Sequence, residues 1–474
     1  MRRRTMEEKV RIGFVPAQRD PFDEMWAEEM KKRVLKALGP VCEKNKIEII
    51  HPSENLTKKG LVRNDEDAVK VIKLFKEKDV DGIMIGAMTF GDERSAVSVA
   101  ESMPGAPVLL FSTKEGPFTE DGNRRGDAFC GTLSIASGLY RRKIPFTFLG
   151  NVFPEEDVFS EKVEEFVRAC YAVRGFRGAK IGLIGPRPEQ FETCAINEFP
   201  MIEKFSQRVV PISLADVFYL TNSLKENEDI SKIVDEIKAN ADWEEVGEET
   251  LNKSARLEIV LKKFVREKKL SAMAVECWSA MQEVYGISPC LTMGRLTDQG
   301  IMTSCEVDIH GALTMLVQYL ASLKQRVPHF IDFTIQHQSR ENTFLAWHCG
   351  NAPFSLAAKG SKIHIRPHSI LASTLGQKRS GGTAEFQIKP GEITINRLVE
   401  YDGKFKMLIA RGRIIPSEDK LRGSWGWVEV TDLNKLYRTL IEEGFVHHGS
   451  IIHGDVSRTI AQFCKFAGIQ TVVV

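Results

Sequence analysis

The sequence predicts an α/β protein in which two Rossmann-like doubly wound domains are followed by a C-terminal antiparallel, β-barrel-like domain. Two observations predict this. From the N-terminus to about residue 325, short β-branched runs alternate with longer charged amphipathic stretches, the rhythm of parallel strands joined by crossover helices. Beyond about residue 360 the segments become short and alternating, with Gly and Pro turn signals between them. The 474 residues suffice for several cores, and the pattern places domains at 1–172, 173–325 and 326–474.

In chain order, Arg11–Val15 reads as a first strand and Phe22–Leu38 as the helix after it. Ile47–Ile50, Gly82–Gly86 and Val108–Phe111 continue the strands, with a helix over Ala68–Lys78. A second unit begins with Lys180–Ile184, which ends in the loop Gly185–Pro188. It continues through charged helices at 224–240 and 250–268 to the strand Leu270–Val275. Open α/β sheets bind ligands at carboxyl strand ends, so these loops are candidate site positions. The C-terminal strands are expected at Ser361–Arg366, Ala384–Ile388, Glu392–Ile395 and Phe405–Ile409. Turns are expected at Gly381-Gly382, Pro390-Gly391 and Asp402-Gly403. A helix at Asp432–Glu443 and a strand at Gln470–Val474 complete the chain.

Composition narrows the function. Lys and Arg number 65 against 64 Asp and Glu, a net charge of +1, so no global field draws nucleic acid or anionic lipid, and neither is expected as a partner. No apolar run approaches the ~18–20 residues that span a bilayer. The basic opening runs into Glu7 and Glu8 instead of an apolar stretch, which favours a cytoplasmic protein. Nine scattered Cys without a CxxC pair read as buried thiols, neither a disulfide framework nor a zinc knuckle. The chain lacks a GxxxxGK[ST] loop, a GxGxxG after a predicted strand, and a GxSxG elbow.

Nine of the ten His lie between His310 and His453, which directs metal or proton chemistry to the last third. Glu306, Asp308 and His310 fall at the junction of the apolar run Gly300–Thr303 with an apolar helix from Ala312. Two readings stay open there. Asp308 caps the helix with Glu306 solvated beside its positive end, or Glu306 faces a cleft from a strand end. Asp332 is embedded in Phe330–Thr334, where burying an isolated carboxylate costs several kcal/mol; it is therefore paired, metal-bound, or on a solvent-facing strand position. His348 follows Trp347 before a turn, and His447 and His448 occupy another. Two acids and two His make a hard O/N ligand set for a divalent cation.

At these residues the sequence resembles the L-fucose isomerase and L-arabinose isomerase superfamily. The positions matching its metal ligands are Glu306, Asp332, His348 and His448, separated by 26, 16 and 100 residues. Asp at the second position is similar to fucose isomerases, whereas the chain length is closer to arabinose isomerases. The resemblance implies a metal-dependent aldose–ketose isomerase working through an enediol, with Glu306 and Asp332 catalytic and His348 and His448 completing the shell. Mn2+ is the implied ion, with Co2+ or Mg2+ compatible. The implied substrate is L-fucose or a similar sugar (D-arabinose, L-arabinose). The alternatives are a deoxy or sulfonated sugar, or a sugar-binding or sensory protein without turnover. Thr89–Glu93 matches a strand-end loop that faces the cleft in the family, and Met88 stands where fucose isomerases carry a sugar-contacting Trp. Trp278, Trp347, Trp425 and Trp427 are candidates for stacking on the sugar. The family implies a homo-oligomer, most simply a hexamer, in which Arg19 reaches a neighbouring subunit's site and exposed Phe22 and Trp26 favour the contact.

Overall fold

The computed structural model describes residues 9–474. The chain forms two compact units, one running to Arg174 with Gln462–Gly468 added, the other comprising Gly175–Ala461 and Ile469–Val474.

The first unit is built on five parallel strands, β1 (Val10–Ala17), β2 (Ile47–Ile50), β3 (Gly82–Ala87), β4 (Val108–Thr113) and β5 (Phe146–Val152), in the order β2-β1-β3-β4-β5. Every residue of β3 and β4 is buried, as strands covered on both faces require, and this explains their unbroken apolar runs. The first helix, Glu24–Asn45, is longer than expected because it passes through Pro40 and ends only where Lys46 turns left-handed at φ 54°. Asp23 caps it by accepting from the Trp26 amide at 3.0 Å.

The second unit contains two sheets. Four parallel strands, β6 (Lys180–Ile184), β7 (Arg208–Ile212), β8 (Ala272–Val275) and β9 (Thr303–Ser304), run in the order β7-β6-β8-β9. Nine further strands follow: β10 (His329–Gln336), β11 (Thr343–His348), β12 (His364–Pro367), β13 (Gly381–Gln387), β14 (Gly391–Tyr401), β15 (Lys404–Ile415), β16 (Ser424–Val430), β17 (His448–His453) and β18 (Gln470–Val473). Their order is β12-β13-β16-β11-β10-β17-β14-β15-β18, with an additional β15–β16 pairing. This sheet is mixed, which corrects the expectation of a purely antiparallel barrel. β13–β16 and β15–β18 are parallel. Parallel neighbours need crossover connections, and β18 arrives after the helix Ser457–Ala467.

Turn chemistry is mostly as expected. Asp402 and Gly403, at φ 52° and 74°, make the tight hairpin between β14 and β15. Gly381 and Gly382 instead open strand β13, because the backbone there passes so close to Ser288 that a side chain on Gly382 would lie 2.4 Å from the Ser288 carbonyl. The helix Ile309–Ala321 is tied to the large sheet by Gln318. Its amide donates to Asn396 Oδ1 at 2.9 Å and to the Ser450 carbonyl at 3.0 Å, and it accepts from Ser450 Oγ at 2.6 Å. A satisfied buried network of this kind fixes one seating of helix on sheet.

The helix Cys290–Asp298 approaches the segment after β11 through Gly294, where an added Cβ would stand 2.5 Å from the Ala352 carbonyl oxygen. Backbone cannot yield as a flexible side chain does. Gly294→Ala is therefore expected to destabilise the chain by about 1–3 kcal/mol, seen as a lower melting temperature in calorimetry; an unchanged melting temperature would show that this contact is not tight.

Candidate active site

The site grows from the turn between β9 and the helix Ile309–Ala321. Glu306 and Val307 both adopt left-handed backbone, at φ 47° and 59°. A non-glycine residue there costs of order 1–3 kcal/mol, and for a β-branched valine the conformation is a true outlier. Neighbouring bonds hold it. The Val307 amide donates to the Val275 carbonyl at 3.2 Å, the Asp308 amide to the Cys305 carbonyl at 3.0 Å, and Ser304 Oγ to the Asp308 carbonyl at 2.7 Å. The result turns the Glu306 carboxylate inward, with the residue only 4% exposed, so the solvated reading of Glu306 is corrected.

Asp308 does cap the helix, accepting from the Gly311 amide at 2.8 Å, and it does more. It is ion-paired with Arg397, whose Nη2 lies 3.2 Å from Oδ1, and its Oδ2 accepts from His448 Nδ1 at 2.8 Å. All three side chains are buried. The guanidinium and the imidazole outweigh burial and hold the Asp308 carboxyl well below the usual range. An acceptor that stays ionised keeps a proton on His448 Nδ1, so Nε2 is the nitrogen turned toward Glu306 and Asp332.

The large sheet supplies the rest. Asp332 on β10 lies directly opposite His448 on β17 and opposite Trp347 on β11, and Trp347 lies opposite Trp425 on β16. Residues directly across a ladder share a face, so these four form one row. His348 ends β11. Its Nε2 is 3.6 Å from Glu306 Oε2, and His448 Nε2 is 3.5 Å from the same oxygen and 3.7 Å from Asp332 Oδ1. Phe330 packs beside both imidazoles, with ring centroids 5.3 and 4.8 Å away. Burial pushes the Glu306 carboxyl up, but His348 and His448 together bring it down to about 2, so it is a carboxylate at neutral pH. His348 is pulled up to about 9 by Asp332 and Glu306 against the effect of burial. The Cys349 amide donates to its Nδ1 at 2.9 Å and opposes a second proton there. In either state Nε2 bears the hydrogen, which would have to leave for a cation to be held there.

Glu306 Oε2, Asp332 Oδ1 and His348 Nε2 are buried atoms without a hydrogen-bond partner. Buried polar atoms are almost always satisfied, and three orphaned donor atoms of hard type linked through Glu306 and His448 fit a divalent cation. The four side chains do not form one cluster as compact as the trio Asp332, His447 and His448, whose donor atoms all lie within 4.8 Å of one another. Binding through all four therefore calls for a small contraction.

The other expected residues fall less uniformly. Trp278 and Trp347 keep exposed ring surface, Trp278 meeting Phe191 edge-on at 5.9 Å and Trp347 donating to the Arg422 carbonyl at 2.7 Å. Trp425 and Trp427 are buried in a cluster with Leu345 and Ile415, and Met88 is wholly buried in the first unit beside Gly86 and Phe111. Arg19 pairs with Glu93 at 3.3 Å over the Phe90 ring. Trp26 is packed on Gly116 and Phe22 is stacked on Phe90, so neither is the exposed aromatic that was expected. His310 is buried against Phe405 and is drawn down to about 4 by burial.

Sequence reasoning missed Arg397, and it missed Glu276. The latter sits just past β8, with Oε2 unpartnered and burial raising its carboxyl to about 7. A cleft of about 800 Å3 bounded by Lys232, Glu236, Glu258, Arg266, Arg295 and Asp298 shares no residue with this site. Within it Arg295 lies 2.7 Å from Glu258 and 3.0 Å from Glu236. Among the described residues no helix is long and apolar enough to cross a membrane.

If Asp308 orients His448, Asp308→Asn keeps the shape but weakens the hold on the Nδ1 proton. Titration calorimetry with Mn2+ should then show affinity lower by about 10–100-fold, the usual effect of losing such a partner; an unchanged affinity would remove His448 from the ligand set.

Residues 13–177 match the family model for the fucose/sulfoquinovose isomerase N-terminal domain, and residues 346–474 match that for the L-fucose isomerase C-terminal domain. Among characterised relatives, sulfoquinovose isomerases from Priestia aryabhattai and Priestia megaterium are each 25% identical over 470 residues, covering 98% of this chain and 98% of theirs. The sulfoquinovose isomerase of Alkalicoccus urumqiensis is 26% identical over 83% of this chain and 86% of its own. These matches set aside the reading as a sugar-binding protein without turnover. The chain belongs to the L-fucose isomerase-like family and is an aldose–ketose isomerase.

Proposed function

We propose that this isomerase interconverts a sulfonated aldose and its ketose, sulfoquinovose being the reference sugar, through an enediol. The observation that carries the proposal is the end-to-end similarity to relatives named for that sugar, joined to the convergence of Glu306, Asp332, His348 and His448. L-fucose, D-arabinose and L-arabinose become the comparison substrates.

The reaction moves the C2 hydrogen to C1 as a proton, while a proton passes between the two oxygens. Glu306, held as a carboxylate by its imidazole neighbours, is the group that takes the C2 proton. Glu306 returns that proton at C1, while Asp332, whose side chain keeps 20% of its surface, takes the proton of the C2 hydroxyl and gives it to the oxygen on C1. Asp308 and Arg397 hold His448 so that its Nε2 stays directed at Glu306 and Asp332. Phe330 and Cys349 exclude water behind His348. A divalent cation, Mn2+ by preference and Co2+ or Mg2+ in its place, would be held by Glu306, Asp332, His348 and His448 and would supply polarisation of the carbonyl and compensation of the charge that develops on the sugar oxygens. Trp278 and Trp347 offer apolar surface for the sugar ring. A hexameric assembly, as the family resemblance implies, and a cytoplasmic location, as the scattered thiols imply, remain part of the proposal.

The test is exchange of the C2 hydrogen into deuterated solvent for sulfoquinovose, L-fucose, D-arabinose and L-arabinose. Sulfoquinovose should exchange fastest, and Glu306→Gln should slow it by ~10²–10⁴. Preference for L-fucose would overturn the substrate assignment, and exchange at the parent rate in Glu306→Gln would overturn the role of that residue.

A further inference from the structure

Glu306 has two oxygens that meet opposite kinds of partner. Oε2 faces the imidazoles of His348 and His448. Oε1 faces sulfur: Cys277 Sγ lies 3.6 Å from it, and Cys305 Sγ lies 3.2 Å from Cys277 Sγ. Donor atoms of Cys277, Cys305 and Glu306 all lie within 4.8 Å of one another, and all three residues are buried. Two parallel strands bring this about. β8 and β9 are neighbours, with Ala274 opposite Ser304, so the residues just past their ends emerge side by side and carry the two thiols to one point.

Buried cysteines ordinarily pack as small hydrophobes. Here the two sulfurs instead meet each other and a carboxylate, a soft S2O donor set set back to back with the hard O/N set through a single shared residue. We propose that Cys277, Cys305 and Glu306 form a binding site for a soft divalent cation of the zinc or cadmium class, and that its occupation inhibits isomerisation by withdrawing Glu306 from the sugar side. Binding releases the two thiol protons to solvent and leaves two thiolates and one carboxylate around the ion, with no change in oxidation state. The inhibitory consequence rests on the proton-transfer role proposed for Glu306; the binding does not.

Cadmium titration of the Mn2+-loaded enzyme tests both parts, because thiolate-to-cadmium absorption in the ultraviolet needs a cysteine ligand, and its loss in the Cys277 and Cys305 variants separates this pair from Cys194, whose donor atom lies with those of Asp308 and His448. The expected result is one thiolate-bound Cd2+ per chain with parallel loss of C2 exchange. The absorption should be lost in Cys277→Ser and in Cys305→Ser and kept in Cys42→Ser and Cys130→Ser, which lie in the first unit. A cadmium-113 resonance on the unsubstituted enzyme supplies the same answer if a serine variant fails to fold. Absence of a thiolate-bound ion in the unsubstituted enzyme, or absorption that survives in both folded serine variants, overturns the site. A thiolate-bound ion that leaves C2 exchange untouched keeps the site and overturns the role of Glu306.

Discussion

The ion pair between Asp308 and Arg397 is the constraint on which the rest of the second unit depends. Its carboxylate caps the helix Ile309–Ala321, neutralises a guanidinium on β14 and fixes the tautomer of an imidazole on β17. One side chain thus joins the end of the parallel sheet to two strands of the mixed sheet. A buried pair of this kind contributes little stability against an apolar substitute, yet breaking it leaves a bare charge in the interior at a cost of about 3–5 kcal/mol. Its effect is specificity. The Gln318 network, farther along the same helix, fastens to Asn396, next to Arg397, and to Ser450, two residues past His448.

Glu306 carries the complementary cost. It and Val307 hold unfavourable backbone, and the carboxylate is buried without a hydrogen bond to Oε2. Neither feature benefits the isolated fold. Both follow if the turn exists to aim one carboxylate at His348 and His448. Strain of this sort persists only where surroundings over-determine it, and the bonds from Val307, Asp308 and Ser304 do so here. The same turn brings Cys305 against Cys277, so the hard and soft donor groups have one structural cause.

Much of this was legible in the sequence, and the parts that were not share a reason. The parallel strands β3 and β4 could be read because they are covered on both faces and show continuous apolar runs. The hairpin at Asp402 and Gly403 announced itself through turn chemistry. β14 and β15 run to 11 and 12 residues, longer than their alternation suggested, because the buried Arg397 and Asn396 interrupt the apolar pattern and yet lie inside. The acids and imidazoles could be found by residue type and neighbours. Arg397 could not, since a lone arginine in a strand reads as solvent-facing until its partner is known. The burial of Met88, Trp425 and Trp427 was equally hidden, because it depends on packing that only the fold reveals.

In the proposed site Glu306, Asp332, His348 and His448 gather around one hard cation while Asp308 stays outside it. Anomalous diffraction from crystals equilibrated with Mn2+ tests this most directly. One peak is expected, bound by Glu306 Oε2, Asp332 Oδ1, His348 Nε2 and His448 Nε2 at the roughly 2.0–2.3 Å usual for such bonds, with Asp308 still paired to Arg397 and His448 Nδ1. A peak ligated by Asp308, or one centred on Asp332, His447 and His448 with Glu306 unengaged, would contradict it.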